Sequence, residues 1–222
     1  MNEEQKRAWA QLWKGISEIS EEFEDRPVFI GGVAVYVHLA ERSLEADLGE
    51  FSHDADLLLS LADFADLRDL YEVTPNRRLG KNQIIKHGIE FDVYVERNYG
   101  LAVQFDDAMA ESKIIQNVRA ASLEHLLVLK LDACLDRRGS EKGLKDERDL
   151  IRLCSMMHTG GYKQNLITPY FREETVDVLR ALPRSSQFLV LTGRNAHSAK
   201  PLRSAVEAVS KSLSKAYGHQ PN

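Results

Sequence analysis

The sequence predicts an α+β fold in which a mixed β-sheet flanked by helices precedes a mostly helical C-terminal region. Short apolar runs typical of strands alternate with helical patterns in the first half of the chain. The second half carries helical patterns almost throughout. The composition is that of a folded protein, because 43% of the 222 residues are apolar and 28% are charged. We therefore expect two domains, 1–120 with an N-terminal helix and 121–222.

The first elements are a helix and a strand that ends at two glycines. Apolar residues recur at helical spacing over 3–24 and predict an amphipathic helix. A buried strand is predicted over 27–31. The next stretch, 32–42, has two interpretations. Its alternating valines fit a strand that follows a turn at Gly31-Gly32, and a buried helix that opens at Gly32 fits equally well.

The remaining elements follow from periodicity and from turn residues. In the first half we expect a polar loop over 43–53, a strand over 54–60, a helix over 61–73, two strands within 82–96 that meet at 86–88, and a strand over 112–120. In the second half we expect a helix capped by Ser122 over 123–137 and further helices over 144–157, 168–182 and 199–217.

Charge and cysteine content narrow the class of protein. The net charge of −5 is uneven, because residues 1–60 carry 5 basic and 13 acidic side chains and residues 161–222 carry 9 and 4. The basic end suits an anionic partner, and an ordinary solvated surface explains it equally well.

Two cysteines, Cys134 and Cys154, are too few for a disulfide framework. We expect a cytoplasmic protein with no membrane span and no secretory signal, because no apolar run is long enough and the N-terminus is polar.

The most informative segment is the start of the strand at 54–60. Asp54 and Asp56 are two residues apart, so on a strand their side chains lie on the same face. Two adjacent carboxylates repel each other unless a cation lies between them. Mg²⁺ prefers oxygen ligands and usually binds one or two carboxylates together with substrate phosphates. The pair therefore indicates a site for Mg²⁺, or for Mn²⁺ in its place.

Asp92 is the natural third ligand, because it lies within a later apolar strand. Alternation places Glu90, Asp92 and Tyr94 on one face of that strand, and exposure of this polar set to water is the alternative interpretation. Three carboxylates on neighbouring strands are able to hold two metal ions roughly 3.5–4 Å apart. We therefore predict that Asp54, Asp56 and Asp92 form the metal site.

Lys130 and two aspartates form a second group of candidates. Lys130 lies among apolar residues on one stripe of its predicted helix, so its ammonium needs a partner or a ligand. A triphosphate is one such partner and a buried ion pair with Asp146 is another, and the residues alone do not decide between them. Asp146 faces inward on the next predicted helix, and Asp149 lies at the edge of that side. Helix capping and dipole compensation are further interpretations of both aspartates.

The first group of residues resembles the DNA polymerase β-like nucleotidyltransferase superfamily. The pattern comprises Gly31-Gly32, then Asp54-x-Asp56 leading into an apolar strand, then Asp92 on a later strand. The resemblance implies that the glycine pair ends a strand and opens a helix, whose backbone N–H groups approach a nucleoside triphosphate. It therefore favours a helix after the glycines and assigns Gly31 and Gly32 to nucleotide binding.

The second group is similar to the AbiEii-like nucleotidyltransferases, which include toxins of abortive-infection and toxin–antitoxin systems. Their pattern has a lysine in the first helix after the sheet and an aspartate motif that opens the next helix. Lys130, and Asp146 with Asp149, fit these places. The resemblance covers roughly 27–157. One departure is the gap between the glycine pair and the first aspartate, which residues near 43–51 lengthen.

The resemblance implies a Mg²⁺-dependent enzyme that transfers a nucleoside monophosphate from a nucleoside triphosphate to a hydroxyl group and releases pyrophosphate. In this scheme Asp54, Asp56 and Asp92 hold the metal ions. Lys130 binds triphosphate oxygens, and Asp146 pairs with Lys130 or helps to activate the acceptor. A tRNA acceptor, a role as a toxin and a cognate antitoxin as partner follow from the same analogy. Other RNA, a protein side chain and a small molecule such as an antibiotic stay open as acceptors.

Two alternatives belong to other classes of protein. The pair His53-Asp54 suggests an HD-type phosphohydrolase, a site that needs further histidines on helices. A non-catalytic module that binds nucleotide or RNA is the second alternative, in which the carboxylates are a relic. Hydrolysis of phosphate esters without nucleotide incorporation would indicate the first, and failure to bind Mg²⁺ or nucleotide would indicate the second.

Overall fold

The computed structural model describes residues 3–97 and 100–218. The strands within these residues are β1 (Val28–Ile30), β2 (Asp54–Leu59), β3 (Thr74–Asn76), β4 (Lys81–Lys86), β5 (Ile89–Val95), β6 (Lys113–Ile115) and β7 (Val118–Ala120). The α-helices are α1 (Glu3–Glu22), α2 (Gly31–Glu41), α3 (Glu45–Leu48), α4 (Leu61–Leu70), α5 (Phe105–Ala110), α6 (Leu123–Asp136), α7 (Glu141–Gly160), α8 (Glu173–Ala181), α9 (Gln187–Leu191) and α10 (Ala196–Tyr217).

The chain folds into two compact units. The first comprises the described residues up to Ser43 together with Gly49–Ser122. The second comprises Leu44–Leu48 together with the described residues from Leu123 onward. The chain thus enters the second unit after Ser122, and a short segment from within the first half also belongs to that unit.

The first unit is built on a seven-stranded sheet with the order β3-β4-β5-β2-β1-β7-β6. Parallel pairing joins β2 to β5 and β1 to β7, and the other neighbours are antiparallel. Helix α1 packs on this sheet, where Gly15 lets the Phe91 ring approach so closely that a Cβ atom at Gly15 would lie 2.8 Å from it. This mixed sheet with flanking helices confirms the predicted α+β fold.

Helix α2 settles the ambiguity that follows the two glycines. It begins at Gly31, directly after β1, so the helical interpretation is correct and the strand is not formed. Val33, Val35 and Val37 are all buried. A helix that is covered on several sides has no polar stripe, which explains why the valine spacing does not reveal it.

Two sequence predictions in the first unit are wrong in detail. The segment at 43–53 is not loop throughout, because it contains α3. The predicted strand over 112–120 is a hairpin of β6 and β7, which turns at Gln116 and Asn117. Both turn residues have positive φ, +47° and +71°, the backbone conformation of a tight hairpin turn. Neither β3 nor α5 is predicted from the sequence.

The second unit is helical, as predicted for the C-terminal region, and its core lies between α6, α7 and α10. Helix α7 begins earlier than the predicted 144, because the Ser140 hydroxyl caps it by accepting a hydrogen bond from the Gly143 N–H at 3.0 Å. The helix predicted over 168–182 is shorter, since two 3₁₀ turns precede α8. None of the described helices is long and apolar enough to cross a membrane.

Candidate active site

The strand register places the acidic residues of β2 and β5 side by side. In the parallel pairing, Asp54 lies opposite Glu90 and Asp56 lies opposite Asp92. Register partners on strands roughly 4.8 Å apart share a face, so these four carboxylates occupy one face of the sheet. The structure thus places the predicted Asp54, Asp56 and Asp92 on one face of the sheet, and Glu90 lies on the same face.

Like charges directly opposite each other destabilise a sheet, so this array needs positive charge. Asp92 receives it from the neighbouring strand β4, because the Lys81 ammonium bonds to Asp92 Oδ2. The Gln83 amide donates to Asp92 Oδ1 at 3.0 Å. The side chains of Lys81 and Asp92 are 12% and 5% exposed, so water screens this pair little. Both carboxylate oxygens of Asp92 therefore have donors within the protein.

Asp56 lies against the backbone at the start of α2. A Cβ atom built on Gly31 would lie 2.2 Å from Asp56 Oδ2, a distance that excludes any side chain at Gly31. Gly31 also has a φ of +67°, which L-amino acids with side chains rarely adopt. The helix N-terminus carries partial positive charge and exposed N–H groups, which favours the approach of anions. Gly32 follows in the first turn and is half-buried.

Asp54 begins β2 and is half-buried. The buried Ser52 hydroxyl donates to Asp54 Oδ1 at 3.2 Å. His53 is exposed, and its ring lies 5.4 Å from that of Phe51. The pair His53-Asp54 therefore marks the start of a strand, whereas the HD-type site requires helices.

The carboxylates fit a divalent cation only in part. Within 3–97 and 100–218, no three His, Cys, Asp or Glu side chains lie close enough together to hold a metal ion. Asp54 and Asp56 supply two carboxylates on one face, which is a donor set that Mg²⁺ commonly uses together with substrate phosphates. Asp92 is the third predicted ligand, and both of its carboxylate oxygens accept hydrogen bonds, from Lys81 and from Gln83. The residues therefore fit one cation at Asp54 and Asp56.

Lys130 lies in the second unit within a buried ion-pair network. Its Nζ atom is 3.1 Å from Asp146 Oδ1 and 2.6 Å from Asp149 Oδ2. Arg137 Nη2 lies 2.9 Å from Asp146 Oδ2, and Arg152 Nη1 lies 2.8 Å from Asp149 Oδ1. The ion pair between Lys130 and Asp146 that the sequence analysis left open is thus formed, and Asp149 joins it. The nucleotide-binding role of Lys130 stays a prediction.

Arg152 also anchors α3 within the second unit. Its side chain is 2% exposed, and its Nε–H donates to the Leu48 carbonyl oxygen at 2.6 Å. The residues that lengthen the gap before Asp54 therefore have a structural partner far along the chain. The spacing of the sequence motifs contains no signal for this contact.

Three residues near the carboxylates are not among the predicted catalytic, nucleotide-binding or metal-binding residues, namely Lys81, Gln83 and Glu90. A signal for Gln83 exists in the hairpin of β4 and β5, and Lys81 lies two residues before it on β4. A two-residue turn at His87-Gly88 sets Lys86 opposite Ile89, and counting outward from there reaches Gln83 opposite Asp92. Glu90 is reached by the same alternation that selects Asp92.

The two cysteines show no features of catalytic nucleophiles. Both are buried and free of disulfides. Burial raises the pKa of the Cys134 thiol to about 11 and that of the Cys154 thiol to about 12. Thiols with raised pKa values carry little thiolate near neutral pH, so they are poor nucleophiles.

Comparison with solved structures shows the class of fold that surrounds this site. The chain superimposes on JHP933 from Helicobacter pylori with a TM-score of 0.56 and 16% identity, over 97% of this chain and 95% of that one. It also superimposes on an antigenic nucleotidyltransferase-like protein from Paracoccidioides brasiliensis, with a TM-score of 0.55 and 16% identity, over 90% and 93% of the two chains. No protein-family model and no curated protein sequence matches. The chain has a nucleotidyltransferase-like fold.

Proposed function

We propose that this protein is a Mg²⁺-dependent nucleotidyltransferase that moves a nucleoside monophosphate from a nucleoside triphosphate to a hydroxyl acceptor. The observation that carries the proposal is the register of β2 and β5, which sets Asp56 beside Asp92 on the face that also carries Asp54. The nucleotidyltransferase-like fold supports it. So does the close contact between Asp56 and Gly31 at the start of α2, where backbone N–H groups suit phosphate oxygens.

The proposed reaction is an in-line displacement at the α-phosphorus. The acceptor oxygen forms a bond to phosphorus while the bond to the oxygen that bridges the α- and β-phosphates breaks, and pyrophosphate leaves. A bound Mg²⁺ supplies charge stabilisation for the phosphoryl group in transfer. Asp54 and Asp56 bind and orient that ion. Asp92 takes the acceptor proton, which requires that its Oδ2 atom be released by Lys81.

For Lys130, the contacts support the buried ion pair rather than the triphosphate contact. Its ammonium lies within 3.1 Å of two carboxylates in the interior of the second unit. A phosphate would have to replace both aspartates as its partner. The proposed transfer therefore does not use Lys130, whose buried ion pairs stabilise the second unit.

The identity of the acceptor is a finer proposal. tRNA and the role of an AbiEii-like toxin, with a cognate antitoxin, follow from the resemblance to that family. The excess of basic residues over 161–222 supports an RNA, because phosphate contacts give affinity that does not depend on base sequence. A protein side chain or a small hydroxylated molecule is the alternative acceptor.

One labelling experiment tests the proposal. The purified protein is incubated with each α-labelled nucleoside triphosphate, Mg²⁺ and total cellular RNA or protein, and the labelled product identifies donor and acceptor. The double variant Asp54→Asn, Asp56→Asn is expected to lose the labelling while it stays folded. Asp66→Asn is the matched control, because Asp66 is exposed on α4 and is not part of the strand motif. Equal labelling by the double variant would overturn the proposal.

A second outcome separates the competing functions. Phosphate-ester hydrolysis stimulated by Mn²⁺, without incorporation of label, would indicate the phosphohydrolase. No binding of Mg²⁺ or nucleotide in calorimetry would indicate the non-catalytic module. The placement of His53-Asp54 at the start of β2 speaks against the phosphohydrolase, because its metal-binding histidines lie on helices.

A further inference from the structure

Asp92 is held by two side chains of β4, one on each of its carboxylate oxygens. Lys81 bonds to one of its oxygens and Gln83 donates to the other, and both donors lie on the adjacent strand β4. Gln83 also donates to Glu90 Oε1 at 2.5 Å, so a single amide links two carboxylates of the array. These contacts occupy the atoms through which Asp92 would bind a cation.

We propose that Lys81 is an internal counter-cation that holds Asp92 in the metal-free protein and competes with a divalent cation for this carboxylate. The inference rests on the proposed metal site at Asp54 and Asp56. It assigns to Lys81 a positioning role that is distinct from contact with a phosphate group. Binding of a cation that uses Asp92 requires the Lys81 ammonium to leave Oδ2.

Burial distinguishes this pair from an ordinary surface ion pair. Lys113 and Glu41 form a surface pair in the same unit, with Nζ 2.6 Å from Oε2 and side chains 44% and 37% exposed. Exposed pairs of this kind contribute little because water screens them. At 12% and 5% exposure, the charges of Lys81 and Asp92 are largely desolvated. Removing one of two desolvated partners leaves the other in need of a new counter-charge.

The pairing of β2 with β5 indicates that a divalent cation is the charge that takes the place of Lys81. Asp92 lies opposite Asp56. Loss of Lys81 therefore leaves these two neighbouring carboxylates without the positive charge of its ammonium. Their mutual repulsion is relieved when one cation binds both. Replacement of Lys81 by a neutral side chain of similar length is therefore expected to tighten metal binding, whereas loss of an ordinary phosphate-binding lysine leaves metal affinity unchanged.

The first test is calorimetric titration of the full chain with Mn²⁺ in the absence of nucleotide. Lys81→Met is expected to bind Mn²⁺ about tenfold more tightly than the wild type, since each 1.4 kcal/mol of lost competition corresponds to about tenfold in affinity. Lys113→Met is the matched control and is expected to bind as the wild type does. Adding Asp92→Asn to Lys81→Met is expected to abolish the gain. Unchanged or weaker binding by Lys81→Met would overturn the inference.

The second test uses the wild-type protein, so it does not depend on whether a variant folds. Lysine acetylation is mapped by mass spectrometry with and without saturating Mn²⁺. Release from Asp92 is expected to increase the acetylation rate of Lys81, whereas Lys113 is expected to react equally in both conditions. An acetylation rate of Lys81 that is the same with and without Mn²⁺ would overturn the inference.

The outcomes distinguish this inference from the proposed function. Nucleotide transfer by a protein whose Mn²⁺ affinity does not respond to Lys81→Met overturns the inference and leaves the function in place. Tighter Mn²⁺ binding by Lys81→Met without any nucleotide transfer supports the inference and removes the proposed function. Absence of Mn²⁺ binding in both proteins overturns the inference.

Discussion

The Oδ2 atom of Asp56 occupies the space that a side chain on Gly31 would need, 2.2 Å from the ideal Cβ position. A single contact thus joins the second aspartate of the strand motif to the first residue of α2. The contact links two sequence features that are separated by the rest of α2 and by α3. It also explains why a glycine is required at this position, on grounds of space as well as backbone conformation.

Gly31→Ala is expected to displace the Asp56 carboxylate. Its predicted loss of stability exceeds that of Gly193→Ala by about 1–3 kcal/mol, because overpacking adds to the backbone cost. Gly193 is the matched control, since its φ is +58° and no atom lies within 4 Å of its ideal Cβ position. Urea denaturation measures both losses, and equal losses would show that the Asp56 contact is unimportant. Mn²⁺ binding is expected to weaken in Gly31→Ala alone.

Lys130→Met is expected to lower the free energy of unfolding by roughly 3 kcal/mol, because it leaves buried carboxylates short of positive charge. Asp146 and Asp149 retain Arg137 and Arg152, so the loss stays below total unfolding. Lys142→Met, an exposed change on α7, is expected to have little effect. Chemical denaturation checks the difference. A stable Lys130→Met protein that has lost nucleotide binding would instead favour the triphosphate contact.

The buried His38 is expected to make the folded protein less stable in mild acid. Burial lowers its pKa to about 4, although the Ala121 carbonyl oxygen accepts a hydrogen bond from Nε2 at 2.8 Å. The unfolded histidine titrates near 6.5, so between about pH 6.5 and 4 only the unfolded state takes up this proton, and stability falls by up to about 3 kcal/mol.

The matched variant is His38→Gln, whose amide keeps a donor for Ala121. It is expected to lose less stability than the wild type between pH 7 and about pH 4, as measured by urea denaturation at each pH. Parallel curves for the two proteins would contradict the assignment of this acid sensitivity to His38.

Lys86 links the sheet to α1 through ion pairs with Glu18 and Glu22. These contacts are expected to stabilise the folded protein at neutral pH. Burial opposes its charge, but hydrogen bonds to Glu22, Tyr71 and Glu18 raise its pKa above the ordinary value. A raised lysine pKa stabilises the folded state below the unfolded pKa of about 10.4, and this contribution is lost as the pH rises above it.

Lys86→Met is therefore expected to cost about 1–3 kcal/mol at pH 7. The matched control is Lys14→Met, because Lys14 Nζ lies 3.9 Å from Glu18 Oε1 and its side chain is 62% exposed. Thermal or urea denaturation checks the pair of variants. Equal stability of the two would show that the Lys86 contacts contribute no more than an exposed ion pair does.

The sequence predicts the order of most elements, and the exceptions have identifiable physical causes. Residues 112–120 contain apolar runs without a glycine, so nothing marks the turn at Gln116-Asn117, where two residues with side chains adopt positive φ. Helix α3 has four residues, too few to show a helical period. The apolar helix α2 lacks a polar face, and the family resemblance rather than its own pattern favoured the correct interpretation.

The candidate site, too, can be predicted from the sequence only in part. Alternation within a strand predicts that Asp54 and Asp56 share a face. The position of Asp92 beside Asp56 depends on the parallel register of β2 and β5, which only the fold sets. The turn at His87-Gly88 sets how β4 and β5 pair, but the bond from Lys81 to Asp92 also depends on how a flexible side chain is placed, which no short motif encodes.

The contact between Arg152 and Leu48 has a consequence for synthesis on the ribosome. The two residues are 104 positions apart, and the carbonyl that accepts the bond is made first. At a translation rate of about 5–20 residues per second, α3 emerges roughly 5–20 seconds before its arginine does. During that interval α3 is present in the nascent chain without its native partner, so its contact with α7 forms only after Arg152 has been synthesised.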